Sequence, residues 1–301
     1  MTQTPASLLV NIASGHFSRR DGLDEFKNRF KFAFRSLMTL PSMLHWLGTF
    51  IEDESLLEFL RQNPRIACKL HRPYLFQSLG TSGKLKILEQ HYALECARIP
   101  AVQLDRLLHG QHLALATIQG KDDSTFRFTV THQHAFDKEG ELSLQMWDAA
   151  DIPLVTLTFT LCMKGEEPAL IIGGLQGPRR ETDSPDCIKI ATKACHGLFP
   201  KRVTMEVLTV FARMLGLHRV QAVSKKQHIY NSWRYRKQFE ADYDSFWNAL
   251  EARTVEEGFF DIATQLPRKP FEEIASKKRA EYHRRYALLD EINAQVATSL
   301  L

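Results

Sequence analysis

Between residues 21 and 62 the apolar positions recur at a helical spacing. Phe26, Phe30, Phe34 and Leu37 stand three or four residues apart, which puts them on one helical face. Pro41 suits the first turn of a further helix, where a missing N–H costs nothing. Asp53-Glu54-Ser55 ahead of Leu56, Leu57 and Leu60 reads as another helix start, and Asn63-Pro64 breaks it. Residues 65–117 also read as helical, with Ser82 capping a helix through Leu85, Leu88 and Tyr92. Near residue 126 the period falls to two. Phe126, Phe128 and Val130 alternate with polar neighbours, as do Leu142, Leu144 and Met146; Leu154–Leu161 and Ala169–Gly174 follow. Turns at Lys138-Glu139-Gly140, Asp148–Pro153 and Lys164–Pro168 make these an antiparallel meander.

Beyond Gly177-Pro178 the helical period returns. Cys187–Cys195 is a short helix closed by Gly197, and Pro200 opens a longer one that Gly216 stops. Val220–Ser224 is a short strand. Residues 229–250 read as a helix with Trp233, Tyr243, Phe246 and Trp247 inward, then Gly258–Ile262 as a last strand and 271–298 as a closing helix. The class is α+β: a helical region over residues 1–120, then 121–301, where an antiparallel meander leads into helix, strand, helix, strand.

Composition narrows the picture. The 301 residues are 44% hydrophobic and 25% charged, an ordinary globular balance. Cys68, Cys96, Cys162, Cys187 and Cys195 form no CxxC pair, so they read as reduced thiols. Leu8–Ile12 is too short for a signal-peptide core, and no apolar window approaches the roughly 20 residues that span a bilayer. The expectation is a soluble cytoplasmic protein with no transmembrane segment. The net charge of +4 is local: residues 268–286 hold seven Lys/Arg against three acids.

The element order resembles the core of GNAT-type acyltransferases, in which a loop after the fourth strand and the next helix N-terminus hold a pyrophosphate through backbone N–H groups. The corresponding residues are Gly173, Gly174, Gln176 and Gly177, with Lys193 and Lys201 near the following helices; acyl-CoA or a similar acyl donor is the cofactor this implies. Pro178–Pro185 intervenes and brings Glu181 and Asp183, which repel phosphate. His196 reads either as a general base or as a helix-terminal histidine near free carbonyls. Ser224–Lys237 places Ser224, His228, Tyr230, Asn231 and Arg234 at a strand's C-terminal end, where open sheets bind ligands. His228, Tyr230 and His196 are the candidate proton-handling residues; Ser224, Asn231, Arg234, Lys277 and Arg279 are candidate binding residues. Tyr230, Arg234 and Lys237 share a helical face that suits a small anionic substrate. Lys277-Lys278-Arg279 with Tyr282, Arg284 and Arg285 suits an acidic lipid or a protein partner, and less specifically nucleic acid. His132 and His134 share a strand face, but two ligands do not make a metal site, and no metal is expected.

Several segments together carry a whole-chain resemblance: His71–Leu75, Gly173–Gly177, Thr192-Lys193 with His196-Gly197, Ala222-Val223-Ser224 with His228-Ile229-Tyr230, Ser232–Tyr235, Tyr243-Asp244 with Phe246-Trp247, and Lys277–Tyr282. In this order they resemble the VirK/YbjX family of Gram-negative bacteria, over residues 25–295. The resemblance implies roles in virulence or stress tolerance at the envelope. It brings no catalytic residues with it.

Overall fold

A computed structural model describes residues 3–17, 23, 25–132, 134–178, 186–231, 242–255 and 258–300. The N-terminal helices are α1 (Pro5–Ser14), α2 (Phe26–Met38), α3 (Leu40–Ile51), α4 (Glu54–Gln62), α5 (Thr81–Arg98) and α6 (Ala101–Leu108), with a 3-10 segment over Pro64–His71. Asp53 caps α4 as its position implied, accepting from the Ser55 and Leu56 N–H groups. The strands are β1 (Leu113–Gln119), β2 (Thr125–His132), β3 (Leu142–Trp147), β4 (Pro153–Lys164), β5 (Glu167–Gln176), β6 (Arg219–Val223), β7 (Arg253–Val255) and β8 (Phe259–Ile262). After β5 come α7 (Cys187–Ala194) and α8 (Pro200–Met214); α9 (Tyr243–Ala249) follows β6, and α10 (Ser276–Thr298) follows β8.

The strands form one eight-stranded sheet in the order β1-β2-β3-β4-β5-β6-β8-β7. Every pairing is antiparallel except β5 with β6, which α7 and α8 connect as a crossover. Strand β1 lies within the stretch read as helical. Its Leu113, Ala116 and Ile118 sit opposite Val130, Phe128 and Phe126, so pairing with a long neighbouring strand decided its conformation. The edge of β1 is covered by α10, whose Gln295 amide binds both the N–H and the C=O of Thr117.

Two hydrophobic cores flank the sheet. Val155, Leu157, Phe159 and Leu161 of β4 face α8 and α10, among Leu144, Phe211, Leu289 and Ile292. The opposite face carries Cys162, Ala169 and Ile171, packed with Trp46, Phe50, Tyr74 and Tyr92 from the N-terminal layer. Strand β4 outruns β3 at its far end, and α5 satisfies the backbone there: Leu161 N–H donates to His91 Nδ1 and Met163 N–H to Gln90.

The stripe Phe26, Phe30, Phe34 and Leu37 lies on one helical face, as its spacing predicts, and that face is exposed; α2 buries Phe32 and Ser36. One expectation changes. The helix expected over 229–250 is a 3-10 turn at Ile229–Asn231 and the short α9; residues 232–241, including Trp233, Arg234 and Lys237, lie outside the described residues.

Candidate functional site

The connection from β2 to β3 carries acids at alternate positions, Asp137, Glu139 and Glu141, and each reaches different partners. The Asp137 carboxylate accepts from Arg65 Nε (3.1 Å) and Arg72 Nη1 (2.8 Å). Glu141 accepts from Lys69 Nζ and from the Tyr92 hydroxyl (2.8 Å). Burial disfavours the Glu141 charge, but the Lys69 ammonium and its hydrogen bonds outweigh this and hold the carboxyl below its ordinary value. Gly140 lets the turn lie flat on β4, since a Cβ there would sit 2.7 Å from Phe159 O.

Glu139 is fully buried and lies 3.2 Å from His228 Nε2 through Oε1. Gln176 Nε2 donates to the same Oε1 at 3.0 Å. Among the described residues, Glu139 Oε2 accepts no hydrogen bond. His228 Nδ1 accepts the Tyr230 N–H (3.3 Å), and Nε2 is the ring nitrogen that faces Glu139. Gln77 clamps the loop, donating to the carbonyls of Gln227 and His228 at 2.9 Å each.

Tyr243 of α9 completes the group. Its ring stacks on His228 at 4.9 Å, and its hydroxyl accepts from Leu175 N–H and Gln176 Nε2, both at 3.2 Å. Burial, reinforced by the Glu139 carboxylate, pushes its phenol well above the ordinary value. Trp247 stacks behind it and anchors α9 by donating to Val223 O (3.1 Å). Tyr230 stands at the edge, with the Lys138 ammonium 5.6 Å from its ring.

The glycines expected to cradle a phosphate stand in two settings. Gly173 and Gly174 lie inside β5, where β4 pairing skips Gly173 as a bulge. A Cβ on Gly173 would meet the backbone carbonyl of Glu139, and one on Gly174 its carboxylate. The glycines admit Glu139, and that space is filled. Gly177 is open and lines a cleft of ≈ 560 Å³ with Pro178, Phe199, Lys201, Phe246 and Leu250. Burial lowers the Lys201 pKa there.

The remaining candidates disperse. His196 has φ 52° just past the end of α7, and Arg285 of α10 binds its carbonyl. Burial, followed by the charges of Arg284, Lys121 and Arg285, lowers its pKa. Lys193 is exposed on α7. Ser224 is buried and caps the loop, its Oγ accepting from Gln227 N–H, and Asn231 Nδ2 reaches Lys226 O. Lys277 is exposed, while Arg279 donates to Ile274 O. Arg234 lies outside the described residues. His132 pairs with Glu95 at 2.8 Å, and among the described residues no His, Cys, Asp and Glu side chains converge into a metal-binding group. No helix among them is long and apolar enough to cross a membrane. Glu139 and Tyr243 were not expected as site residues; the acid at every second position of the 137–141 turn was the available signal.

Known proteins place the chain. A protein of Escherichia coli K12 named "Uncharacterized protein YbjX" is 38% identical over 295 residues, which cover 97% of this chain and 89% of that protein. Two proteins of Haemophilus influenzae, each named "Uncharacterized protein", are 31% identical over 54% of this chain and 52% of their own length, and 25% identical over 71% and 70%. The family described as "Protein of unknown function (DUF535)" matches residues 21–298. With that match and the YbjX likeness, the chain belongs to the VirK/YbjX (DUF535) family.

Proposed function

We propose that this protein is an acyltransferase-like enzyme of the GNAT type, taking its acyl group from a thioester such as an acyl-CoA. The parting of β5 from β6 carries the reading. The strands pair in parallel only from Ala169 opposite Arg219 to Ile172 opposite Ala222; β5 then runs on to Gln176 without β6, still paired with β4. Tyr243 fills one side of the opening, and the cleft that starts at Gly177 lies beside it. An apolar slot walled by Leu154, Ile188, Phe199 and Phe246 suits a long, thin acyl-bearing arm. The N-terminus of α8 at its end has no side-chain cap and starts with Pro200, so its backbone amides and Lys201 suit an anion. Arg202 is less free, being paired with Glu206 at 2.9 Å. The order of antiparallel meander, crossover helix and parallel strand supports the same reading.

A bound thioester would supply an electrophilic carbonyl and a thiol leaving group. Glu139, whose buried Oε2 accepts no hydrogen bond among the described residues, takes the proton from an acceptor hydroxyl or amine as it forms its bond to the acyl carbon. The Glu139–His228 pair returns that proton to sulfur as the carbon–sulfur bond breaks. Tyr243 stays protonated, so toward the acyl oxygen it acts as a donor and not as a base. Tyr230 lies at the entrance. The test is ligand-induced melting and transfer assays across acyl-CoA thioesters of increasing length. A raised Tm with at least one of them is expected, lost in Lys201→Glu; Glu139→Gln keeps the shift and loses transfer. No shift with any thioester, or undiminished transfer in Glu139→Gln, overturns the reading.

A further inference from the structure

Helix α2 presents an apolar face to solvent opposite the side it buries. At 100° per residue, Asn28, Phe32 and Ser36 form its inner side. Phe26, Phe30, Phe34, Leu37 and Met38 fall on the outer side, with Phe26 76% and Leu37 70% exposed. They are five of the ten large apolar side chains that stand exposed among the described residues. Single exposed apolar residues are ordinary; a contiguous stripe on one helix is not.

The charge on this helix has one sign. Lys31 and Arg35 flank the stripe on one side and Arg29 on the other, Lys27 falls between Phe34 and Met38, and no acid lies within Phe26–Met38. Between α2 and the Pro64–His71 segment is a hollow of ≈ 200 Å³ lined by Lys31, Arg35, Arg65, His71 and Arg72, among others. Asp137, outside the hollow, pairs with Arg65 and Arg72. Burial, then Arg35 and Lys84, push His71 down to about 4, so the ring adds no charge at neutral pH. Lys31 and Arg35 line a space large enough for a phosphate group.

We propose that α2 is a membrane-surface helix: it lies flat in the interface of a bilayer containing anionic phospholipid, its phenylalanine stripe among the acyl chains and a headgroup phosphate in the Lys31–Arg35–Arg65–Arg72 hollow. An interfacial helix needs an apolar face, flanking cations and enough polar residues on its other side to keep it at the surface, and α2 has all three. Thirteen residues give about 20 Å of contact along the surface. A second copy of this chain fits the stripe poorly, because docking it would set Lys27, Arg29, Lys31 and Arg35 against their own counterparts without an acid between them. Anionic lipid complements the apolar and the charged parts together.

The experiment is flotation of the full chain with vesicles of phosphatidylcholine alone and of phosphatidylcholine with phosphatidylglycerol in equal parts. Flotation with the mixed vesicles, weak or absent with the neutral ones and weakened by salt, is expected. Phe30→Ser/Phe34→Ser should weaken it by roughly tenfold or more without changing Tm, because both side chains are exposed. Lys31→Glu/Arg35→Glu should do the same, and inorganic phosphate should compete only weakly. The inference is overturned by any of three results: no flotation of the wild type; flotation unchanged in both α2 variants but lost in Lys277→Glu/Lys278→Glu; or a dimer in sedimentation that Phe30→Ser/Phe34→Ser dissociates, with no vesicle binding.

Discussion

The two faces of strands β2 to β4 are both buried, yet they are built from opposite chemistries. Toward α8 and α10 they present Phe128, Val130, Leu144, Met146, Val155, Leu157 and Phe159. Away from them they present Thr129, Thr131, Ser143, Gln145, Thr156, Thr158 and Thr160, every one of them buried. The second set is knitted by its own hydroxyls and amides: Ser143 with Thr158 at 3.2 Å, Gln145 with Thr156 at 3.3 Å, Trp147 Nε1 with Thr129 at 2.9 Å, and Tyr74 with Thr160 at 3.0 Å. Glu139 lies over this polar face at Gly174, directly opposite Thr158 in the β4–β5 pairing. A face that only held the fold together would gain by being apolar, since desolvated hydroxyls return little net energy. This face instead spends its polar groups on one another and on the layer that covers it.

The comparison is most strongly tested on the apolar side. Phe159→Ala, beneath Phe211, should cost about 4 kcal/mol in denaturant unfolding, since a full ring leaves a void. A loss under about 1 kcal/mol would mean that this core is loosely packed. Next comes the buried pair beside the polar face. Lys69→Met should cost about 3 kcal/mol by stranding Glu141, and Lys69→Met with Glu141→Leu should recover most of it. The pH sign follows from the lowered Glu141 value: its contribution is present above the unfolded carboxyl value of 4.5 and is lost as pH falls through the lower folded one. Acid unfolding of the double variant should therefore be shallower than that of the wild type. The smallest effect belongs to the polar face. Thr158→Val should cost about 1 kcal/mol, the net worth of its bond to Ser143. If Thr158→Val destabilised as much as Phe159→Ala, the two faces would be equally structural and the contrast would fall.

The strand alternation was legible, and so were the Asp53 cap, the Pro200 start and the Gly216 stop, because each rests on a local rule of backbone geometry. Which side of an alternation meets water is not a local property. Thr156, Thr158 and Thr160 have the spacing of a solvated face, and only the layers around the sheet make them interior. The same holds for Phe26, Phe30 and Phe34, whose period fixes a helix and a face but not the face's direction. In the candidate site, His228 was legible from its place beyond a strand end. Its partners were not: Glu139 is 89 residues upstream, where alternate acids mark the turn but not its target, and Tyr243 arrives from α9 beside the end of β5. The glycines at 173 and 174 signalled a close approach correctly, but nothing local said that a carboxylate would make it.

The turn from Asp137 to Glu141 also bears on which changes of length the chain can accept. Turns between antiparallel strands are ordinarily where a chain takes insertions most easily. Here each second residue is committed to a different neighbour: Arg65 and Arg72, then His228 and Gln176, then Lys69 and Tyr92. One residue added or removed inside this stretch would send Glu139 or Glu141 to the wrong side and leave a lysine and a histidine facing each other's empty places. Drift in length among relatives should therefore gather at Lys164-Gly165-Glu166, whose glycine meets nothing, and be filtered out at 137–141.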